Sequence, residues 1–579
     1  MPVTNRDVAG VLAEIADLLE IKGENPFKVR AYQRAAQAVE NLPMQLSAML
    51  GHRPFTEIPG VGASIADKIQ ELLTTGRCRF HQELLAEFPA SLAALLSIPE
   101  VGPRKAQALH DQLGITSVDE LEPAAREGRL RDLKGFGAKT EVNILRGIER
   151  LRVHKARLPL AEAHPLAMEV VENLLVAAPV EQIEAAGSIR RMRDTIGDID
   201  ILVTSSDPQE VMSVFVSLPT AHHVIARGPT KTSVVTEHGA QMDVRVVEPE
   251  SFGAALQYFT GSKEHNVRLR ELAVRRGLRL SEYGVFEVAT ERRVAGATEE
   301  EVYAALDLPL IPPELREDRG EIAAAQRGEL PHLVEVEDIK GDLHVHTKRT
   351  DGHHTIEEMA ETALGRGYKY IAICDHSRSV GMAGGLFDED LLRHAADIRA
   401  ASKRIKGITL LAGTECDIRR DGTLDYPDEV LAQLDFVVAA VHSGFKLDTD
   451  SMTSRIIDAM HNPYVDAIAH PTGRIIGKRD PYEVDGERLL AAAAELGVAM
   501  EVNSYPDRLD LRDIHVRRAK ELGVRLVINT DAHDCDHLRL ITYGVATARR
   551  GWAEPQDVLN TLPLAELRKR LRRNARRAK

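Results

Sequence analysis

The run Ala186-Gly187-Ser188-Ile189-Arg190-Arg191, continued by Gly197-Asp198-Ile199-Asp200-Ile201-Leu202-Val203, decides how this chain is read. Asp198 and Asp200 interrupt an apolar stretch at alternate positions, which predicts a strand with both carboxylates on one face. Such a pair cannot enter an apolar core unless a cation joins it. Hard Mg²⁺ takes oxygen ligands of this kind. Upstream, Gly187 and Ser188 end an apolar stretch and can offer a backbone N–H and a hydroxyl to a phosphate. Arg191 adds a guanidinium suited to phosphate oxygens. Phosphate donors beside a metal-binding carboxylate pair form the minimum kit for nucleotidyl transfer.

Downstream, Gln241-Met242-Asp243-Val244-Arg245-Val246-Val247 alternates polar and apolar residues, as a half-buried strand does. Asp243 can therefore come alongside Asp198 and Asp200 from a neighbouring strand. Residues 251–315 read as helices with short strands, and Pro309 to Pro313 suggests a boundary. Residues 314–338 read as a charged, alanine-rich linker or helix.

Upstream of the opening run, residues 1–155 read as helices with glycine-containing turns. Ile58-Pro59-Gly60-Val61-Gly62, Ile98-Pro99-Glu100-Val101-Gly102 and Leu133-Lys134-Gly135-Phe136-Gly137 share one pattern. Each precedes a helical run containing Lys or Arg. Such a hairpin aims helix N-terminal N–H groups outward, where they can hold a DNA phosphate without reading bases. Gly60, Gly62, Gly102, Gly135 and Gly137 are the candidate DNA-binding positions. A lone GxG turn would be only a helix corner; three copies favour sequence-independent DNA binding. Glu100 replaces a glycine, so the middle copy is the most structural of the three.

From Ile339 the texture changes to short apolar runs separated by helical stretches, the pattern of βα units in a parallel sheet or barrel. Metal-type residues stand at the ends of these runs. They are His344, His346, Asp351, His376, Glu415, His442, His470, Asp531 and His533. Parallel barrels build their sites at the C-terminal ends of strands. One histidine there is usually a buried hydrogen-bonding residue, but ligands at six successive ends point to a metal centre. Imidazole with carboxylate suits Zn²⁺ or Mn²⁺. Asp375 and Asn503 lie nearby as supporting or substrate groups.

A chain of 579 residues should hold several domains. No apolar span is long enough to cross a membrane, and Met1 to Glu20 is polar and amphipathic, unlike a secretory signal. Cys78, Cys374, Cys416 and Cys535 form no CxxC pair, which suits a reducing cytoplasm. A net charge of −14 argues mildly against a nucleic-acid binder. Carboxylates that ligate metals would lose much of that effective charge, however. The tail Arg568 to Lys579 has eight basic residues and no acidic one, so it reads as a solvated helix or a phosphate-binding tail.

The Gly187-Ser188, Asp198-x-Asp200 and Asp243 set, with Tyr258-Phe259-Thr260-Gly261-Ser262 downstream, resembles family X DNA polymerases such as DNA polymerase beta. The C-terminal half resembles a PHP (polymerase and histidinol phosphatase) domain. Together they resemble the bacterial DNA polymerase X family over nearly the whole chain. The resemblance implies a multidomain α/β protein. Its expected parts are a lyase-like helix-hairpin-helix domain at 1–90 and a second helix-hairpin-helix subdomain at 91–155. They continue with an α+β nucleotidyltransferase palm at 156–248, a thumb at 249–315 and a linker at 316–338. A TIM-like (β/α)7 PHP barrel with a basic tail would fill 339–579.

It further implies that Asp198, Asp200 and Asp243 hold two Mg²⁺ ions. Ser188 and Arg191 would hold the outer phosphates of a deoxynucleoside triphosphate. Tyr258 and Phe259 would line the sugar pocket, with Gly261 beside them. Asn266 would contact the incoming base, and Arg270 would probe the templating strand. Lys68 aligns with the family's lyase lysine, which forms a Schiff base with an abasic sugar; a phosphate contact is the plainer role. Three PHP metals are implied. His344, His346, Glu415 and Asp531 would hold one, Glu415, His442 and His470 a second, and Asp351, His376 and His533 a third.

The sequence departs from the family at several points. Ala186 replaces the first glycine of the GGS signature, and Met192 replaces the glycine after the paired arginines. Ser64 stands where the family has a supporting lysine. Lys263 stands where DNA polymerase beta has an acidic residue and would add attraction for the triphosphate. Unchanged nucleotide affinity in Lys263→Asp would remove that idea.

The expected activity is gap-filling DNA synthesis in base excision repair, with a PHP 3′-5′ exonuclease. Abasic-site endonuclease and 3′-phosphatase action are further candidates. The expected partners are gapped or primed DNA and deoxynucleoside triphosphates, without a membrane, for a cytoplasmic monomer. The alternatives are a nucleotidyltransferase on a non-DNA substrate fused to a phosphatase, and a non-catalytic DNA-end scaffold.

Overall fold

The computed structural model describes residues 3–571 apart from 43, 99–100, 132, 134 and 154–156. The chain forms two compact units, Met1–Ala156 and Arg157–Lys579. The basic stretch beyond residue 571, and Pro99, Glu100 and Lys134 of the hairpins, lie outside the described residues.

The first unit is helical. Helix Asn5–Ile21 starts at a Thr4–Asp7 capping box and buries Val8, Leu12, Ile15 and Leu19 along one face. Helices Pro26–Glu40, Ala63–Thr75, Pro103–Leu113 and Val118–Arg126 share its core. The three glycine-containing turns adopt one geometry. Val61, Val101 and Phe136 each donate a backbone hydrogen bond to the carbonyl three residues earlier, at 3.0 Å. The side chains of those pairs, Ile58 with Val61, Ile98 with Val101 and Leu133 with Phe136, are buried. Gly60 and Gly135 occupy the same place in the first and third copies with φ of +87° and +91°, where a side chain would be strained. Gly62 and Gly102 then begin helices Ala63–Thr75 and Pro103–Leu113, and their exposed N-termini face solvent.

The second unit begins with a five-stranded sheet. Its order is Val180–Ala185, Asp198–Ser205, Gln241–Val246, Lys231–Val235 and His223–Arg227. Only the pairing of Asp198–Ser205 with Gln241–Val246 is parallel. Helices Leu160–Ala177 and Pro208–Ser217 cover one face with Ala163, Val170, Leu174 and Phe215. Helices Phe252–Thr260 and Lys263–Arg275 and the three-stranded sheet of 278–295 follow.

Seven parallel strands in chain order make the third layer: Gly341–Val345, Tyr370–Ile373, Thr409–Asp417, Phe436–Ala440, Ala467–Ile468, Ala499–Asn503 and Leu526–Asn529. A bridge from Val345 to Ala532 nearly closes the sheet into a barrel. Alternation sorts the strand residues. Tyr370, Ala372 and Cys374 pack inside with Phe436 and Val438, while Ile371 and Ile373 pack outside against helix residues such as Met359 and Ile398. The register shifts between Asp342 and Val345, the kind of irregularity that re-aims side chains beside a site.

Residues 316–338, expected as a linker or helix, contain helix Glu321–Arg327. Arg316, Glu317 and Glu321 are buried, and Ala324, Ala325 and Leu333 share a core with Tyr303 and Trp552. The segment's first charges, Arg316, Glu317 and Glu321, face partners inside the unit, while Arg327, Glu329, Glu335 and Glu337 stay exposed. Among the described residues no helix is long and apolar enough to cross a membrane.

Candidate functional site

The strand Asp198–Ser205 forms as its alternation dictates, with Ile199, Ile201 and Val203 in the core. Asp198 and Asp200 therefore leave the opposite face. Parallel pairing sets Asp200 opposite Asp243 and Asp198 opposite Gln241, which gathers three carboxylates on one patch of two strands. Burial, then the charges of Asp198 and Asp243, push the Asp200 carboxyl up to about 7. Lys231 Nζ lies 2.6 Å from Asp243 Oδ2, and Gln241 Nε2 donates to Asp243 Oδ1 at 2.8 Å. Lys231 and Arg245 together leave three carboxylates short of neutral, a negative charge that a hard divalent cation fits. Lys231 escaped the sequence reading because its strand pairing, not its neighbours in the chain, brings it there.

The loop beside this patch is tied to it. Ala186 N–H donates to the Asp200 carbonyl at 2.8 Å. Gly187 has φ of +69°, and a Cβ there would sit 3.3 Å from Asp200 Oδ2, so the carboxylate and the loop approach closely because residue 187 is glycine. Ser188 is half-buried in the short helix Gly187–Arg190. Arg190 clamps Glu299 with two bonds of 2.7 and 3.0 Å and donates to Thr260 Oγ1 at 2.9 Å. Arg191 is also engaged. Its Nε donates to Glu317 Oε1 at 3.0 Å and its Nη1 to the Thr260 carbonyl.

Helix Phe252–Thr260 carries Tyr258 and Phe259, whose rings meet edge to face at 5.2 Å. Arg245 covers the Phe259 ring at 4.6 Å. Gly261 approaches Arg191, whose Nη1 would lie 3.1 Å from a Cβ at that position. Asn266, expected to face a base, is buried. Its Nδ2 donates to the Tyr258 carbonyl and its Oδ1 accepts from Gln257, both at 2.7 Å. Those bonds fix the turn that presents Tyr258. Lys263 is exposed in the first turn of helix Lys263–Arg275, which Ser262 caps. Arg270 is exposed, with Nε donating to the Asn266 carbonyl at 3.2 Å.

In the first unit, Lys68 Nζ donates to the Ser64 carbonyl at 3.0 Å and to its hydroxyl at 3.2 Å. It also lies 4.9 Å from the Phe80 ring centre.

The barrel holds a second polar cluster at its strand ends. His346 Nε2 lies 3.1 Å from Asp531 Oδ1 and 3.7 Å from Glu415 Oε2, and His344 Nε2 lies 3.6 Å from both carboxylates. Glu415 Oε1 faces His470 at 2.8 Å and His442 at 3.2 Å. Asp351 faces His376 at 3.3 Å and His533 at 3.4 Å. The groups overlap. His346 also falls with Asp351, His376 and His533, and His376 with Glu415 and His442. His376 Nδ1 is 2.8 Å from Glu415 Oε2, which links the sets.

The chemistry of this cluster fits metal ions. His344 Nε2, His346 Nδ1 and His470 Nδ1 are buried without a hydrogen-bond partner among the described residues. Burial, then His533 and His376, draw His346 down to about 4, which keeps it neutral as a ligand must be. Burial pushes Glu415 up, but His442, His376 and His344 outweigh it and hold the carboxyl well below the usual range.

Behind the ligands stands Glu501, a buried carboxylate that the sequence reading missed. It lies on Ala499–Asn503, the one barrel strand to which that reading gave no ligand. Its Oε1 accepts from His344 Nδ1 at 2.8 Å, and its Oε2 from the His470 N–H at 2.8 Å. It thereby orients the His344 imidazole and anchors the backbone at His470. A single acid inside Ala499-Met500-Glu501-Val502 was its only signal. Asp375 accepts from His394, Thr347 and Thr350, and Asn503 Nδ2 donates to Glu501 and Asp531 at 3.1 Å.

Known proteins resemble each part. Residues 3–78 match the family model of a helix-hairpin-helix domain, and 92–150 that of a SAM-like helix-hairpin-helix tandem. Residues 157–245 match the DNA polymerase beta palm, 255–317 the DNA polymerase beta thumb, and 342–504 the PHP domain. Over 571 residues the chain is 40% identical to the DNA polymerase/3′-5′ exonuclease PolX of Bacillus subtilis (strain 168), across 98% of this chain and 99% of that protein. A probable phosphatase of Caldanaerobacter subterraneus is 34% identical over 206 residues, 34% of this chain and 76% of its own. One of Acetivibrio thermocellus is 33% identical over 203 residues, 33% of this chain and 78% of its own.

Proposed function

Because this chain belongs to the bacterial family X DNA polymerases that carry a PHP domain, we propose that Asp198, Asp200 and Asp243 are the carboxylates of its nucleotidyl transfer. The protein is a DNA polymerase and a 3′-5′ exonuclease. The observation that supports the assignment is the register of Asp200 with Asp243 on adjacent strands. The three carboxylates would hold two Mg²⁺ ions. When bound, these ions lower the pKa of a primer 3′-OH and neutralise the triphosphate. Around them, Gly187 and Ser188 would bind triphosphate oxygens through backbone N–H and hydroxyl. Arg191 would turn from Glu317 to the same phosphates. Tyr258 and Phe259 would pack against the sugar, with Gly261 leaving room. Asn266 would act on the base through the Tyr258 turn that it fixes, Lys263 would attract the triphosphate, and Arg270 would face the template.

The barrel would house the exonuclease. Its histidines and carboxylates would hold three Zn²⁺ or Mn²⁺ ions, which when bound act as Lewis acids on a phosphodiester. Glu501 would keep the His344 ring aimed inward and hold the backbone at His470. Similarity to proteins named probable phosphatases favours 3′-phosphate removal as a second use of this site. The glycine turns at Gly60, Gly62, Gly102, Gly135 and Gly137 would hold DNA phosphates on both sides of a short gap, a substrate that suits a repair role.

Primer extension and degradation on gapped DNA test this reading. Wild type should insert the templated nucleotide. The Asp198→Ala/Asp200→Ala protein should bind DNA and degrade 3′ ends without extending them. Untemplated single additions would favour a nucleotidyltransferase of another kind.

A further inference from the structure

The loop that carries Arg191 is held from the PHP domain. Arg550, the last residue of helix Ile541–Arg550, is 5% exposed. Its Nη1 donates to the Arg191 carbonyl at 2.8 Å and to Glu317 Oε1 at 2.9 Å, the oxygen that receives Arg191 Nε. Its Nη2 is fixed by Asp513 Oδ2 at 2.7 Å. Three residues further along the loop, Arg474 Nη1 donates to Asp194 Oδ2 at 3.0 Å. Arg474 is itself pinned by the Arg508 and Leu509 carbonyls at 2.6 and 2.7 Å. Between these two clamps lies Met192, a non-glycine residue with φ of +52°. That conformation is strained for a side chain and persists only where its surroundings impose it.

Glu317 also couples the clamp to Arg191 through charge. Burial pushes its carboxyl up, but Arg550, Arg191, Arg193 and Arg319 outweigh that and bring it down to about 2. Arg191 shares this carboxylate with Arg550, so neither guanidinium holds it alone. Without Arg550, Glu317 would draw Arg191 more tightly and the Arg191 carbonyl would lose its anchor. Both changes turn the guanidinium away from a triphosphate.

We propose that Arg550 and Arg474 of the PHP domain are positioning residues for DNA synthesis, aiming the palm's triphosphate loop through the Arg191 carbonyl, Glu317 and Asp194. The proposal rests on the reading of Arg191 as a triphosphate ligand. It makes the PHP domain part of the nucleotide site through residues that are not among the candidate metal ligands.

The test is steady-state insertion of one nucleotide into gapped DNA by the full-length protein, with 3′-5′ exonuclease measured beside it. Arg550→Gln should raise KM for the nucleotide about tenfold, the worth of one lost charge-assisted hydrogen bond, with a smaller change in kcat. Exonuclease should stay within about twofold, as for an interaction outside that reaction. Arg550→Lys, which keeps the charge but not the fork, should fall between. Arg191→Gln should raise KM, and Arg191→Gln/Arg550→Gln should raise it no further than the larger single effect. If Arg191→Gln leaves KM unchanged, the reading of Arg191 fails. If Arg191→Gln raises KM but the Arg550 variants do not, the positioning role is overturned. Should Arg550→Gln lose the exonuclease through misfolding, Arg550→Lys decides alone: a raised KM with exonuclease retained supports the role, and an unchanged KM overturns it.

Discussion

Replacing Asp200 with asparagine should end synthesis and yet stabilise the protein when no divalent cation is present. The folded-state pKa of Asp200 is raised to about 7 by burial and by Asp198 and Asp243, against an ordinary value of 3.8. A carboxyl raised in this way destabilises the fold above the folded pKa, and that cost shrinks as pH falls from about 7 towards the unfolded value. Three units correspond to about 4 kcal/mol at neutral pH as an upper figure. Asp200 still meets solvent on one side, so about 2 kcal/mol is the working magnitude. Asparagine keeps the shape and removes the charge. Calorimetric unfolding in EDTA, compared at about pH 8 and about pH 5, reads the effect. The variant should unfold at the higher temperature at the alkaline pH, and its advantage should shrink in acid. Added Mg²⁺ should stabilise wild type more than the variant, because ligands stabilise only the state that binds them. A variant no more stable than wild type at alkaline pH, or an advantage that does not fall in acid, would refute the electrostatic argument.

His344→Ala or Glu415→Ala should remove exonuclease and spare gap filling; joint loss would mean that the barrel cluster also sustains the polymerase fold. Glu501→Gln leaves the candidate ligands in place but weakens the hold on the His344 ring, so exonuclease should fall about 10- to 100-fold and recover partly with excess metal. Unchanged exonuclease in that variant would show that Glu501 does not orient ligands. If Lys68 is a lyase nucleophile, borohydride should trap it on an incised abasic site, and Lys68→Ala should abolish the adduct. No adduct in wild type leaves Lys68 with the phosphate role.

Much of the fold could be read from sequence because chemistry and periodicity coincide in it. Asp198-x-Asp200 sits in an alternating strand, so the pattern that buries Ile199 and Ile201 also presents the carboxylates. Most of the barrel's candidate ligands could be read because they end short apolar runs. Three other features were hidden, for different reasons. Glu501 is a lone acid in an apolar strand, and only the fold shows that it meets the His344 ring and the His470 backbone. Residues 316–338 look like a tether because they are charged and alanine-rich. Their first charges are buried because partners distant in sequence meet them, Arg191 and Arg550 at Glu317 and Glu299 at Arg316. For Asn266 the resemblance implies a base contact, and what sequence did not show is that its amide closes a turn with Tyr258 and Gln257. Long-range pairing of polar groups leaves little trace in local periodicity.

Asp243 offers the most direct test of the central claim, that carboxylates from two adjacent strands jointly hold the cations for nucleotide addition. The measurement is single-turnover gap filling by wild type and Asp243→Asn across a Mg²⁺ titration, with exonuclease as the control. The rate should fall on the order of a thousandfold with exonuclease intact. Near-normal extension by Asp243→Asn at ordinary Mg²⁺ would contradict the account.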